Sequence, residues 1–325
     1  MAIQNIAVVA GGYSGESVIS LQSAENVINN IDKTLYTPYK VIITEDSWYL
    51  EHNNTDYTID KNDFSASVDG KKIVFDAVFL IIHGTPGEDG KLQGYFDMLN
   101  IPYTACSLQA SAITFNKEIC KNLLKPFGIK TANAVTFKKG QTINSSIIIE
   151  HVNFPCFVKT NTGGSSIGAS KVTTEKELMP AVEKAFEADN EIIIEDYITG
   201  TEVTCGVTTF KGKPKALSVT EIVSHSDFFD FDAKYINKAT EEITPARIPE
   251  NKLNECLRLS EYIYQLMNCK GMIRIDYFLS DNEFYLIEVN TIPGLSNRSL
   301  IPQQAAYCGL TMTELITSVI METTS

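Results

Sequence analysis

No apolar run in this sequence is long enough to cross a bilayer. The longest, Ala77 to Ile82, falls far short of the roughly 20 residues a spanning helix needs. Positive charge is scarce as well: 27 Lys and Arg stand against 40 Asp and Glu, for a formal net charge of −13. A general binder of nucleic acid or anionic membrane needs a basic footprint, so both classes are disfavoured, though a local basic pocket for phosphates is not. The cysteines number seven, an odd count, and no two form a Cys-x-x-Cys pair. Disulfide frameworks and zinc sites are disfavoured, and the natural setting is a reducing cytoplasm with each cysteine a small buried apolar residue. No signal peptide is expected, because the first basic residue is Lys33 and Ile3 to Ala10 runs into a Gly-Gly turn like a strand. A Gly-x-Gly-x-x-Gly fingerprint is missing. So is Walker A, since Gly163-x-x-x-x-Gly168 is followed by Ala169 and not Lys. There is no internal repeat.

What is present is an ordinary globular composition, 44% hydrophobic and 21% charged over 325 residues, enough for two or three domains. The N-terminal third alternates strand and helix signals. Ile6 to Val9, Tyr39 to Thr44 and Ala77 to Ile82 read as strands. Ser17 to Ile31 and Leu92 to Asn100 read as helices. This βαβ pattern predicts an open parallel-sheet α/β domain over residues 1–113. A central part, 114–200, has a helix from Lys117, strands at Phe154–Lys159 and Ala169–Val172, a helix after Thr174 and a strand at Glu191–Tyr197. The last part, 201–325, has strands at Glu202–Phe210 and Ala216–Val223, an irregular segment Ser224–Lys238, a helix Lys252–Asn268 and a hairpin Met272–Asn290.

Four segments carry more chemistry than structure alone requires. Ala10-Gly11-Gly12-Tyr13-Ser14-Gly15-Glu16 joins a strand to a helix, where open α/β sheets bind ligands, and places Glu16 at the helix start. His83-Gly84-Thr85-Pro86-Gly87-Glu88-Asp89-Gly90 crowds His, Glu and Asp into a shaped loop. Lys159 to Gly168 is a Gly- and Ser-rich link between two strands. Its backbone N–H groups and hydroxyls suit phosphate oxygens, although a plain surface turn would use the same residues. Last, a turn at Asp281-Asn282-Glu283 would set Asp276 opposite Glu288, with Arg274 and Asn290 on the same face. Two carboxylates and an amide among apolar neighbours suit Mg²⁺, a hard cation that also takes phosphate ligands.

Taken in order, these segments resemble the D-alanine–D-alanine ligases of the ATP-grasp superfamily. The resemblance runs from Ile6 to Pro302. Its pieces are Gly11-Gly12-x-Ser14-x-Glu16 with Ser20-Leu21, His83-Gly84-x-x-Gly87-Glu88-Asp89-Gly90 with Gln93-Gly94, and Pro102-Tyr103-Thr104. Then come Asn116-Lys117, Lys159 with Gly164-Ser165-Ser166-x-Gly168, and Gly200-x-Glu202. The last are Phe229-Asp230-x-x-Ala233-Lys234-Tyr235, Arg274-x-Asp276, Glu288-x-Asn290-Thr291-x-Pro293-Gly294 and Ser299-Leu300-x-Pro302. The resemblance implies a three-domain ATP-grasp fold, α/β at the N-terminus and α+β beyond it, with ATP gripped between the second and third parts.

Residue roles follow from that resemblance. Lys117, Lys159 and Lys234 would bind ATP, with the Ser165 loop closing over its phosphates. Glu195, Tyr197 and Ile198 would edge the adenine, and Glu202 the ribose. Asp276, Glu288 and Asn290 would hold two Mg²⁺ ions, with Mn²⁺ as a substitute. Glu16, supported by Ser165 and Tyr235, would receive the ammonium of the first D-alanine, and His83 would be among the substrate-binding residues. Lys234, Ser299 and Leu300 would receive the second, and Arg274 would stabilise the oxyanion. The implied partners are D-alanine and ATP, in a cytoplasmic homodimer serving peptidoglycan synthesis, with no nucleic acid or membrane. A D-alanine–D-lactate ligase of the same fold and a noncatalytic ATP-binding regulator are the alternatives. Departures from the commonest pattern are Val18, Gly163, Asp196-Tyr197 and Arg298.

Overall fold

The computed structural model describes residues 3–164, 168–224 and 240–324. Strand β1 (Gln4–Gly11) is buried from Ile6 onward and lies parallel to both its neighbours, β2 (Tyr36–Ile43) and a later strand, Ala77–Leu80. Helix α1 (Ser17–Asn30) makes the crossover from β1 to β2. The expected parallel sheet is therefore there, but it continues. Four strands, β3 (Trp48–His52), β4 (Thr55–Asp60), β5 (Ser65–Val68) and β6 (Lys71–Ile73), extend it antiparallel beyond β2. With Ala77–Leu80 as β7, the order is β6-β5-β4-β3-β2-β1-β7. Apolar periodicity does not reveal this meander, because its strands are short and half polar. Its turns carry the signal: Asn53-Asn54 and Asp69-Gly70 all take positive φ, the geometry of two-residue hairpins.

After α2 (Lys91–Leu99), α3 (Leu108–Phe115), α4 (Lys117–Leu124) and the short β8 (Lys130–Thr131), the chain builds a second sheet. It contains β9 (Ala134–Lys138), β10 (Cys156–Thr160), β11 (Ser170–Val172) and β12 (Glu191–Asp196), antiparallel in the order β11-β10-β12-β9. Helices α5 (Ser145–His151) and α6 (Glu175–Ala188) accompany it. Its core of Val158, Leu178, Val182, Ile192 and Ile194 draws only on residues 135–194. Asn133, where the chain enters this layer, donates its amide N–H to Asp196 Oδ2 at 2.7 Å, where the chain leaves it. The Asp196 N–H returns a bond to Asn133 O at 3.0 Å.

The third sheet runs β15-β14-β13-β16-β17-β8. Its strands are β13 (Thr201–Phe210), β14 (Lys213–Ser224), β15 (Thr240–Ile243), β16 (Met272–Ser280) and β17 (Glu283–Asn290). Helix α7 (Glu250–Leu266) covers one face, burying Cys256, Ile263 and Tyr264. The same core takes Ala110, Cys120 and Leu124 from α3 and α4. Of the closing helices α8 (Leu300–Tyr307) and α9 (Met312–Thr324), α9 sends Leu315, Ile316, Val319 and Ile320 into the core of the first sheet. It is tied to the third sheet by a bond from Ser318 Oγ to Thr209 O. First and third layers are thus packed together, and the middle layer faces both.

Candidate active site

Hairpin β16–β17 places four polar side chains on one face. Its turn is Asp281-Asn282, both at positive φ, and Ser280 pairs with Glu283. A two-residue turn alone would bring Ile287 opposite Asp276. The register instead slips by one residue between Tyr277↔Leu286 and Asp276↔Glu288, leaving Ile287 as an extra residue. That bulge turns Glu288 onto the face of Asp276, and Arg274 pairs with Asn290 beside them. Asp276 is the hub. It accepts from Arg274 Nε at 2.9 Å and a terminal Arg274 nitrogen at 2.8 Å, from Thr204 Oγ1 at 2.5 Å and from Asn290 Nδ2 at 3.1 Å. Among the described residues no group of three or more His, Cys, Asp or Glu gathers as a metal site. The hairpin offers two carboxylates and one amide.

Helix α4 faces this hairpin. Lys117 begins it and lies 3.5 Å from Glu288 Oε2, while its ammonium donates to Gly163 O at 2.7 Å. One residue therefore touches both the Gly-rich link and the acidic hairpin. Burial lowers the Lys117 pKa, with Glu288 pulling the other way. Asn161, fully buried, fixes the helix start. Its backbone carbonyl accepts the Lys117 N–H and its side-chain oxygen accepts the Glu118 N–H, each at 3.0 Å. Its amide donates to Glu191 at 3.1 Å. The orphan N–H groups of a helix N-terminus are satisfied here by the mouth of the Gly-rich link.

Lys159, expected beside a nucleotide phosphate, lies 2.8 Å from Glu195 Oε2. The other Glu195 oxygen is taken by Lys121. Burial by itself would raise the Glu195 carboxyl, but the two ammonium groups outweigh it and hold it down at about 2. Burial pulls Lys121 down against the attraction of Glu195. These residues line one end of a cavity of about 500 Å³ between the second and third sheets. Phe157, Tyr197, Ile198, Phe278 and Leu286 give it apolar walls, and Glu202, Asp276 and Glu288 lie on its third-sheet side. Apolar walls with cations at one end match a flat base carrying phosphates. The Lys171 ammonium stands 4.0 Å over the Tyr197 ring and braces that wall. The Asp196 carboxylate instead bonds Asn133 and the Asn153 N–H.

The first-sheet loops close the far side. Glu16 immediately precedes α1 without a side-chain bond to the helix N-terminus, and a Cβ added at Gly164 would meet Glu16 Oε2 at 3.5 Å. The Gly-rich link and Glu16 therefore come together. Ser20 is spent on structure, since it accepts the Gly11 N–H at 2.9 Å and donates to Ile81 O at 2.6 Å. His83 donates from Nδ1 to Ile292 O at 2.8 Å, which leaves the buried Nε2 an acceptor without a partner among the described residues. Burial lowers its pKa, with Glu16 opposing. Glu88 accepts the Gly84 N–H at 2.8 Å and the Ile292 N–H at 3.2 Å. Desolvation, with Glu16 nearby, pushes its carboxyl up to about 8. His83 and Glu88 thus dock the first-sheet loop onto the segment after β17. Ser299 heads α8, its hydroxyl 2.8 Å from that of Ser296, with Leu300 next to it.

Family models described as the D-ala D-ala ligase N-terminus and C-terminus match residues 5–106 and 123–321. The chain belongs to the D-alanine–D-alanine ligase family. A D-alanine–D-alanine ligase of Flavobacterium johnsoniae is 47% identical over 319 residues, 98% of each chain. One from Azobacteroides pseudotrichonymphae is 48% identical, covering 98% of this chain and 99% of that one. Among solved structures, a D-Ala:D-Ser ligase from Enterococcus faecalis matches with TM-score 0.88 and 32% identity, over 98% of this chain and 99% of that one. The Bacillus anthracis D-alanine–D-alanine ligase complexed with ATP matches with TM-score 0.79 and 29% identity, over 99% and 97%.

Within this ATP-grasp framework the structure gathers Lys117, Lys159, Glu195, Tyr197, Ile198, Glu202, Asp276 and Glu288 around one cavity. Arg274 and Asn290 adjoin it through Asp276. Glu16 meets it across the Gly-rich link, while His83, Ser299 and Leu300 sit on the segments that flank it. Ser165, Lys234 and Tyr235 lie outside the described residues. Lys121 has no place in the sequence motifs, yet it sits four residues after Lys117, the spacing that puts two side chains on one helix face.

Proposed function

We propose that this chain joins two D-alanine molecules, using ATP, through a D-alanyl phosphate. The observation that carries the reading is the shared cavity, where an apolar base-sized slot ends at Lys117, Lys159 and the Asp276–Glu288 face. A carboxylate is a poor electrophile, so it is first converted to an acyl phosphate at the expense of ATP. The second amine then attacks that carbonyl and phosphate leaves. Lys117 and Lys159 would hold phosphate oxygens where charge moves. Glu16 would hold the first ammonium, and His83 would help to bind substrate. Arg274, paired with Asp276, would stabilise the oxyanion, and Ser299 and Leu300, at the head of α8, would receive the second D-alanine.

Asp276, Glu288 and Asn290 would hold two Mg²⁺ ions. Their hard oxygen donors fit, and so does the Lys117–Glu288 contact that links them to the phosphate end. Metal held there would supply neutralisation of the transferred phosphoryl group. The reading also includes a homodimer and a cytoplasmic setting. Seven free cysteines support the latter, and among the described residues no helix is long and apolar enough to cross a membrane. Ser165, Lys234 and Tyr235 keep the roles that the family resemblance implies.

The test is phosphate release from ATP with Mg²⁺ and D-alanine, set against L-alanine, D-serine and D-lactate, with products identified by mass. D-Alanyl-D-alanine as the main product at neutral pH is expected. A main product containing D-lactate or D-serine would sink the acceptor assignment, and no D-alanine-dependent phosphate release would sink the ligase reading.

A further inference from the structure

Two lysines share one buried carboxylate at the inner end of the cavity. Lys121 and Glu195 are almost wholly enclosed, with side-chain exposures of 4% and 7%, and Lys159 is at 13%. The two cations differ in how they are mounted. Lys121 rises from α4 between Cys120 and Leu124, which are buried in the third-sheet core. Lys159 is the last residue but one of β10, at the mouth of the Gly-rich link. Lys159 therefore has two partners within its chemistry, Glu195 and a nucleotide phosphate. Drawing it away from Glu195 would strand a buried carboxylate if nothing else paired with it, and uncompensated buried charge is strongly unfavourable.

We propose that Lys121 is a positioning residue for nucleotide binding: it is the standing counter-ion of Glu195 and thereby leaves Lys159 available to the nucleotide phosphates. Lys121 acts through Glu195 and touches no substrate itself. The inference rests on the nucleotide reading of the cavity given above. With Lys121 in place, Glu195 stays charged and fixed along the cavity wall whichever way Lys159 turns. Without it, Lys159 is the one lysine left in ion-pair contact with Glu195 among the described residues, and nucleotide has to compete for it.

A double-mutant cycle on ATP binding tests this, by calorimetry with Mg²⁺ and without D-alanine, alongside KM and kcat. Lys121→Met is expected to weaken ATP binding about tenfold or more and to raise KM for ATP more than it lowers kcat. Lys121→Arg, which keeps the charge, should stay within about threefold of the parent. In a Glu195→Gln background the carboxylate is gone, so adding Lys121→Met should change ATP affinity less than about threefold. This last pair leaves no stranded carboxylate, so it remains informative even if Lys121→Met alone fails to fold. ATP binding by Lys121→Met within about threefold of the parent would overturn the proposal. So would a large loss on adding Lys121→Met to Glu195→Gln, since Lys121 would then act on the nucleotide directly. If the parent protein binds no ATP, the nucleotide reading of the cavity fails. If it binds and the cycle shows no coupling, only the role of Lys121 fails.

Discussion

Asp276 and Glu288 face each other across β16 and β17 because Ile287 is bulged out of the ladder. The tight Asp281-Asn282 turn sets one register, and the bulge shifts it by one residue before the polar face begins. Two carboxylates are thereby opposed on one face, with Lys117 of α4 set against one of them.

Glu288→Gln keeps the size of the side chain and removes its charge. Turnover is expected to fall by roughly 100-fold or more, because a ligand bound directly to metal matters at least as much as the residues that support it. The melting temperature should move by only a few degrees, as expected of a ΔΔG of about 1 kcal/mol or less for a half-buried side chain outside the apolar core. Steady-state rates against Mg²⁺ concentration, with a thermal melt, decide the matter. Normal Mg²⁺-dependent activity in the variant would remove the metal assignment.

A Cβ added at Gly164 would stand in ordinary van der Waals contact with Glu16 Oε2, at 3.5 Å, so the γ-methyls of a valine there would reach further toward it. Gly164→Val should therefore crowd the carboxylate assigned to the first D-alanine. The expected result is a KM for D-alanine raised about tenfold or more, with a smaller change for ATP. A larger effect on ATP than on D-alanine would separate Gly164 from the Glu16 site.

Glu195 gives a pH signature. Its carboxyl sits at about 2 in the folded protein, against an ordinary value of 4.5, because Lys121 and Lys159 outweigh its burial. A folded pKa below the unfolded one gives stability that is present above pH 4.5 and lost as the pH falls from 4.5 toward 2. Glu195→Gln should melt below the parent at pH 7, where Lys121 loses its partner. The gap should narrow as the pH falls below about 4.5, where the carboxylate of the unfolded parent takes up a proton and that of the folded parent does not. Calorimetric melts across that range test this, and a gap constant from pH 7 to 3 would contradict it.

Much of this site is legible in the sequence, for identifiable reasons. Continuous apolar runs mark β1 and β7, and turn residues just after each mark the loops of Glu16 and His83. The opposition of Asp276 and Glu288 also follows from the sequence, but by two compensating differences. A three-residue turn with a regular ladder gives the same pairing as the observed two-residue turn with a bulge. A bulge depends on strand twist and neighbouring layers, which no local pattern encodes. Lys121 is harder to see, since an isolated lysine on an amphipathic helix normally meets solvent. Its buried partner, Glu195, lies 74 residues further along the chain and becomes its neighbour only when β12 packs beside α4. The meander β3–β6 is missed because its strands bury little.

The paired bonds between Asn133 and Asp196 have a mechanical consequence. The backbone enters the second layer at one of these residues and leaves at the other, so the two crossings lie side by side like the knuckles of a hinge. The apolar core of that layer is its own, whereas α9 rivets the first and third layers into one body. A rotation about the Asn133–Asp196 axis would swing the second layer as a single jaw. It would carry Lys159 and the Gly-rich link away from Glu288 and Glu16 while exposing none of the three cores. Polar ties that cross the cleft include Lys117 to Gly163 and Lys121 to Glu195. The first is a contact that an incoming anion can exchange, while Lys121 stays with Glu195.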